Sequence, residues 1–299
     1  MSRYRSVFRP DLFAGQTIIV TGGGSGIGRC TAHELAALGA HPVLVGRKEA
    51  RLAAVAAEIA EDGAAASFFV CDIRDEARVK DTIAAILAAR GPVHGLVNNA
   101  GGQFPAPLAA INHKGFETVV RTNLVGGFLV ARELYTQCMS EHGGAIVNIV
   151  ADMWHSMPGM GHSGAARAGM VNFTQTAAVE WAPSGVRVNA VAPGWIASSG
   201  LDNYEGMARA LIPRLRAAVE EAGDPIAGED LAALGELLGL TGGVLADPAL
   251  DRADVLEEGE LGLVVGLEGV GGGVYPGGED GHGGSGGVEE ATPPGGPWG

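Results

Sequence analysis

The segment Thr21-Gly22-Gly23-Gly24-Ser25-Gly26-Ile27-Gly28 follows directly on the apolar run Thr17-Ile18-Ile19-Val20. An apolar strand that feeds a glycine turn and then opens a helix is built to hold phosphate. Gly22 permits the tight turn, Gly26 lets a pyrophosphate approach the backbone, and Gly28 lets the helix pack on the strand. The helix N-terminus adds N–H donors and a partial positive charge, with Thr21, Ser25 and Ile27 around the same turn. The end of the next apolar run, Val43-Leu44-Val45-Gly46-Arg47-Lys48, reads out the nucleotide. A carboxylate there would pair with a ribose 2′-hydroxyl. Gly46 instead leaves room, and Arg47 can hold a 2′-phosphate through a charge-assisted bond. NADP(H) is favoured over NAD(H).

These residues need a scaffold, and the chain supplies alternating strands and helices over its first 200 residues. Strands are predicted at Thr17–Val20, His41–Val45, Ser67–Cys71, Gly95–Asn98, Ala145–Val150 and Val186–Ala192. Helices are predicted at Ile27–Leu38, Lys48–Glu61, Asp75–Ala89, His113–Met139 and Ala165–Trp181. Strict alternation requires right-handed crossovers and a parallel sheet, an α/β fold of the Rossmann-like, doubly wound kind. Ligands in such sheets sit outside the carboxyl ends of the strands, where the strand order reverses.

Composition narrows the reading. The 299 residues are 46% hydrophobic with a mean hydropathy of +0.18. No apolar run is long enough to span a membrane, and the start, Met1-Ser2-Arg3-Tyr4-Arg5, carries no apolar stretch behind its charges. Three scattered cysteines, Cys30, Cys71 and Cys138, predict reduced, buried thiols and a cytoplasmic protein, with no metal site. The net charge of −14 resides in the tail. Residues 1–216 hold 17 acidic and 19 basic side chains, whereas residues 217–299 hold 17 acids against Arg252 alone. A near-neutral body with an acidic end gives no footing for nucleic acid. The division predicted is therefore a dinucleotide-binding domain over 1–216 and an acidic, Gly-rich tail over 217–299. The tail holds 23 glycines and no lysine, a composition that predicts disorder from about Leu256 onward.

Together these motifs resemble the short-chain dehydrogenase/reductase family over about residues 10–215. Beyond the glycine turn, the resemblance rests on Cys71-Asp72-Ile73, Asn98-Asn99-Ala100-Gly101, Asn123 and Pro193-Gly194-Trp195-Ile196. It implies that Asp72 accepts from the adenine amino group and Ile73 flanks the ring. Asn99, Ala100 and Gly101 would form the turn beside the cofactor ribose. Pro193, Gly194 and Ile196 would close over the nicotinamide, with Ser198 in reach of its carboxamide.

The family's catalytic Ser, Tyr and Lys positions fall on Ala151, Ser163 and Arg167, so only Asn123 of the usual four remains. A serine hydroxyl is too weak an acid to replace a phenol, and a guanidinium does not release its proton. Ser163 and Arg167 can still donate to an oxyanion, and Arg167 to the cofactor ribose as well. This pattern resembles the peroxisomal trans-2-enoyl-CoA reductases and their bacterial relatives, through His162-Ser163-Gly164-Ala165-Ala166-Arg167-Ala168-Gly169 and the Gly102-Gln103-Phe104 that extends the Asn-Asn-Ala-Gly turn. The later tyrosine usually assigned to the peroxisomal enzymes falls on Val171.

The resemblance implies an NADP(H)-dependent reductase of an enoyl-CoA-type double bond. Relatives carrying a Val150–Trp154-like segment imply instead a terpenoid alcohol or aldehyde dehydrogenase acting on compounds such as citronellol. Loss of three catalytic residues leaves a third reading, a non-catalytic NADPH-binding protein. The small-molecule substrate is an apolar acyl or terpenoid compound, and Met153, Met157, Met160 and Met170 with Trp154 line its pocket or pack as core. Asp152, His155 and His162 stand where a replacement acid could enter, and are read first as loop residues facing solvent. The family implies a homo-oligomer. After Ile212–Ala218, however, no counterpart of its last strand and Gly-Gly ending is found, which predicts a frame-shifted or unrelated ending, low stability and ready proteolysis beyond Leu256.

Overall fold

β1 (Thr17–Thr21) is buried at every position. That is the signature of a strand covered on both faces, as parallel sheets require. In the computed structural model, which describes residues 6, 8–154, 156–194 and 196, it lies at the centre of a six-stranded sheet. Its partners are β2 (His41–Gly46), β3 (Ser67–Val70), β4 (Gly95–Asn98), β5 (Gly144–Ile149) and β6 (Val186–Val191). The order is β3-β2-β1-β4-β5-β6, and every pairing is parallel. The predicted strands all form, with ends that differ by a residue or so.

Alternation along β2 divides the core in two. Leu44 packs with Ala32 and Ala36 of α1 (Gly26–Ala37) and with Leu52, Val55 and Ile59 of α2 (Glu49–Glu61). Val43 and Val45 point the other way, into the larger cluster. That cluster contains Val79, Ile83 and Ile86 of α3 (Glu76–Arg90), Leu129, Val130, Ala131 and Leu134 of α5 (Gly126–Leu134) and Ala177 of α7 (Gly161–Glu180). Strand order reverses between β1 and β4, which places the binding crevice over their carboxyl ends.

Two helices depart from expectation. The single helix predicted over His113–Met139 is divided into α4 (His113–Val120), α5 and the short α6 (Ser140–His142) by π turns at Arg121–Val125 and Tyr135–Met139. Such widened turns recur at functional sites. This one carries Asn123. The helix predicted from Ala165 begins a turn earlier, at Gly161, because tertiary packing overrides the poor propensity of its glycines. Gly161 lies against Leu108 and Gly164 against Met157, where added methyl groups would crowd at 2.8 and 3.3 Å. His162 and Ser163 are therefore in a helix, not a loop, and both are fully buried. Cys30 also departs from expectation. It is exposed, on the face of α1 opposite the buried Gly28, Ala32 and Ala36, whereas Cys71 and Cys138 are buried.

The glycine turn is locked to β4. Gly22 and Gly26 have φ of 67° and 54°, which side-chain-bearing residues rarely adopt. A Cβ at Gly28 would lie 2.5 Å from the Gly22 carbonyl oxygen and 2.6 Å from Asn99 Nδ2. Because the first of these is main chain, it cannot swing aside. Gly28→Ala is expected to cost about 3 kcal/mol of stability and to abolish nicotinamide dinucleotide binding, read by thermal melting and nucleotide fluorescence. Wild-type melting with intact binding would contradict that packing.

The expectations for His155, Trp195, Ser198 and all residues beyond 196 lie outside the described residues. Among the described residues no helix is long and apolar enough to cross a membrane, and no cluster of three or more His, Cys, Asp or Glu could hold a metal.

Candidate active site

Thr21 ends β1 and organises the crevice. Its Oγ1 accepts the main-chain N–H groups of Asn99 and Ala100, each at 2.9 Å, and its carbonyl accepts Asn99 Nδ2 at 2.9 Å. Asn98 Nδ2 donates to the Gly127 carbonyl at 2.7 Å and to Asn148 Oδ1 at 3.2 Å. Asn148 Nδ2 passes the chain on to Thr174 Oγ1 at 2.9 Å, which donates to the Met170 carbonyl. This buried network ties β4, β5, α5 and α7 together directly beneath the site. Because every member is satisfied, it fixes their relative positions. Met170 is part of this floor: its Cε lies where a side chain on Gly127 would stand, so it packs as core.

At the glycine turn, Ser25 is the N-cap residue of α1 but makes no side-chain capping bond. Arg47 is exposed just past β2. Asp72 accepts Arg74 Nε at 2.9 Å and Nη2 at 2.5 Å. The Arg74 side chain, aided by its main-chain N–H and by the more distant Arg47 charge, depresses the Asp72 carboxyl to about 2. Asp72 therefore stays an anionic acceptor throughout mild acid. Ile73 is buried, its side chain against Gly126 at the start of α5. Pro193, Gly194 and Ile196 follow the carboxyl end of β6, the opposite edge strand from β3, and Ile196 is exposed.

The opposite wall holds the remaining polar groups. Asn123, 2% exposed, accepts the Gly102 N–H on Oδ1 at 2.8 Å. Arg167 Nη1 donates to the Ile149 carbonyl at 2.7 Å. A Cβ on Gly101 would lie 2.6 Å from Arg167 Nη2 and 3.1 Å from Asn123 Oδ1, so this glycine lets both side chains close on the turn. Burial pushes the Arg167 guanidinium down to about 10, leaving it charged at neutral pH.

Ser163 Oγ donates to Gln103 Oε1 at 2.5 Å. A hydroxyl has one proton, so in this arrangement the free donor at that point is the Gln103 amide NH₂. The expectation that Ser163 itself donates to an oxyanion shifts accordingly to the pair. Gln103 was visible in the sequence as part of Gly102-Gln103-Phe104, but nothing local marked it as the partner of a residue sixty positions on. Ala151 follows β5, and Asp152, next to it, is exposed.

Among the described residues, three buried side-chain nitrogens have no hydrogen-bond partner: Asn123 Nδ2, His162 Nε2 and Arg167 Nε. Asn123 and Arg167 both close on the Gly101–Gly102 turn, whereas the His162 ring lies against Phe104. A buried donor left unmade costs about 1–3 kcal/mol, so the two orphaned donors at that turn fit a site that takes a polar ligand or ordered water. With the glycine cradle at the other end, the residues present fit a dinucleotide.

The family model described as short chain dehydrogenase matches residues 16–207. The peroxisomal 2,4-dienoyl-CoA reductase [(3E)-enoyl-CoA-producing] of Rattus norvegicus is 35% identical over 230 residues, 76% of each chain. The probable 2,4-dienoyl-CoA reductase of Bacillus subtilis (strain 168) is 32% identical over 204 residues, covering 66% of this chain and 80% of that one. Among solved structures, the citronellol catabolism dehydrogenase (AtuB) of Pseudomonas aeruginosa PAO1 is 70% identical, with a TM-score of 0.63 over 68% of this chain and 82% of that chain.

Proposed function

Because the chain belongs to the short-chain dehydrogenase family, we propose that it is an NADP(H)-dependent reductase of the conjugated C=C bond of an apolar acyl thioester. The observation that supports this reading is the grouping of Gln103, Ser163, Arg167 and Asn123 in one polar wall, with Ser163 and Arg167 at the sequence positions where the family resemblance expects a phenol and an ammonium.

The bound dinucleotide supplies a hydride to the substrate. Carbonyl reduction also needs a proton at the new alkoxide, from an acid whose pKa lies near working pH. Among the described residues, the Ser163 and Arg167 positions that would carry a phenol and an ammonium supply no such acid. Reduction of a conjugated double bond makes a different demand: negative charge moves through the conjugated system to the thioester oxygen and rests there as an enolate. Stabilising that oxygen requires fixed donors. The Gln103 NH₂, held by Ser163, and the Arg167 guanidinium meet that need. Asn123 Nδ2, buried without a hydrogen-bond partner, would hold a water in the crevice, and such a water would give its proton to the α-carbon. Thr21, Gly22, Ser25, Gly26, Ile27 and Gly28 would cradle the pyrophosphate. Asp72, Ile73, Asn99, Ala100 and Gly101 would border the adenosine and ribose, and Pro193, Gly194 and Ile196 the nicotinamide end.

The choice of NADPH over NADH rests on Arg47. Arg47→Ala should weaken NADPH binding by about 1.5–3 kcal/mol, the worth of a hydrogen bond to a charged group, and leave NADH binding nearly unchanged. Equal losses for both nucleotides, measured by fluorescence titration, would make Arg47 structural.

A second reading is favoured by the 70% identity to the citronellol catabolism dehydrogenase, namely oxidation or reduction of a terpenoid alcohol or aldehyde. Purified protein assayed with NADPH and trans-2-decenoyl-CoA, and separately with NADP⁺ and citronellol, separates the two. The proposal expects consumption of NADPH with the thioester. Turnover of citronellol alone would replace it with the second reading.

A further inference from the structure

The donor wall depends on where Gln103 sits, and Gln103 lies in an irregular segment with no secondary structure of its own. Its neighbour Phe104, 39% exposed, is contacted on two sides. On α4, a Cβ at Gly115 would lie 2.8 Å from Phe104 Cζ, so the tip of the ring occupies space that only a glycine leaves open. On α7, the His162 ring meets Phe104 edge to face, with centroids 4.5 Å apart and planes at 81°. His162 is itself fixed in orientation: Nδ1 accepts the Ser163 N–H at 3.0 Å, which places the ring proton on Nε2. The same Ser163 N–H also reaches the Met160 carbonyl at 2.9 Å, so helix α7 does not depend on His162 for its first turn. A fully buried histidine whose Nε2 finds no oxygen or nitrogen partner is costly to keep as packing alone.

We infer that His162 and Gly115 are positioning residues: together they clamp Phe104 and so hold the Gln103 amide on Ser163. His162 touches neither reacting atoms nor cofactor in this role. It acts through Phe104 and the main chain of Gln103. The inference rests on the proposed reading of the Gln103–Ser163 pair as the oxyanion donor.

Three variants test it. His162→Ala removes one jaw, and kcat with trans-2-decenoyl-CoA should fall about tenfold while NADPH affinity stays within about twofold. His162→Phe keeps an aromatic ring against Phe104 and removes the orphaned donor, so it should restore most of kcat with a melting temperature at or above wild type. Gly115→Ala is the sharper test. Alanine favours a helix over glycine, so the melting temperature should hold or rise, yet the new methyl displaces Phe104 and kcat should fall about tenfold. A purely structural role cannot lower turnover while raising stability.

Amide hydrogen exchange of residues 101–104 gives a readout that needs no substrate. It should quicken in His162→Ala and Gly115→Ala and remain at the wild-type rate in His162→Phe. Unchanged exchange in the first two would overturn the clamp even if the enzyme acts on some other substrate. Wild-type inactivity on the thioester with quickened exchange would overturn the substrate reading and leave the clamp standing.

Discussion

Arg167→Met is expected to lower kcat/KM by about 10²–10³-fold, the scale of losing one preorganised donor at a developing oxyanion, without unfolding the protein. The two halves of that expectation have separate causes. Arg167 donates to the Ile149 carbonyl, but it is buried deeply enough that its guanidinium falls to about 10. A cation whose folded pKa lies below its unfolded value loses stability by being buried. That penalty is fully present at neutral pH and is relieved only as pH rises through the folded value. Removing the charge relieves it at every working pH, and methionine fills a similar volume. The melting temperature of the free protein should therefore hold or rise. A nicotinamide dinucleotide that binds only the folded state should raise the melting temperature of the variant less than that of wild type. Retained activity would take Arg167 out of the mechanism. Loss of the free protein's stability would show that the bond to Ile149 outweighs the buried charge.

Ser163→Ala and Gln103→Ala should each lower kcat by about 10²-fold with NADPH affinity nearly unchanged, and the double variant should be no worse than either alone. The prediction follows from the direction of their hydrogen bond. Ser163 spends its proton on Gln103 Oε1, so the hydroxyl orients and the amide donates. Groups that act as one unit lose their function together, and their effects do not add. Full additivity, measured as a double-mutant cycle on kcat, would mean that the two side chains contact the substrate separately.

The glycine turn was the more legible half of this crevice in the sequence. Gly22 and Gly28 announce themselves because their demands are local: one needs a positive φ, and the other faces the turn's own carbonyl a few residues away. The parallel sheet was legible for a related reason, since strand and helix alternate with clear apolar periods. What the sequence hid is contact across distance. The Gln103–Ser163 pair joins a loop after β4 to the first turn of α7, and no periodicity marks it. The π turn that carries Asn123 is one residue wider per turn than the helix around it, and its composition, Arg121-Thr122-Asn123-Leu124-Val125, carries no mark of that. His162 looked like a loop residue because Gly161 and Gly164 weaken the helix signal. The packing of those glycines against Leu108 and Met157 extends the helix and buries it.

The central claim is that hydride goes to a carbon conjugated with a thioester, not to a carbonyl carbon. The most direct test is turnover of trans-2-decenoyl-CoA with NADPH deuterated on the transferring face of the nicotinamide, followed by mass spectrometry of the product. The account predicts saturated decanoyl-CoA with a single deuterium at the β-carbon and a solvent-derived hydrogen at the α-carbon. Deuterium at C1 of citronellol formed from citronellal, with no label entering the thioester, would contradict it.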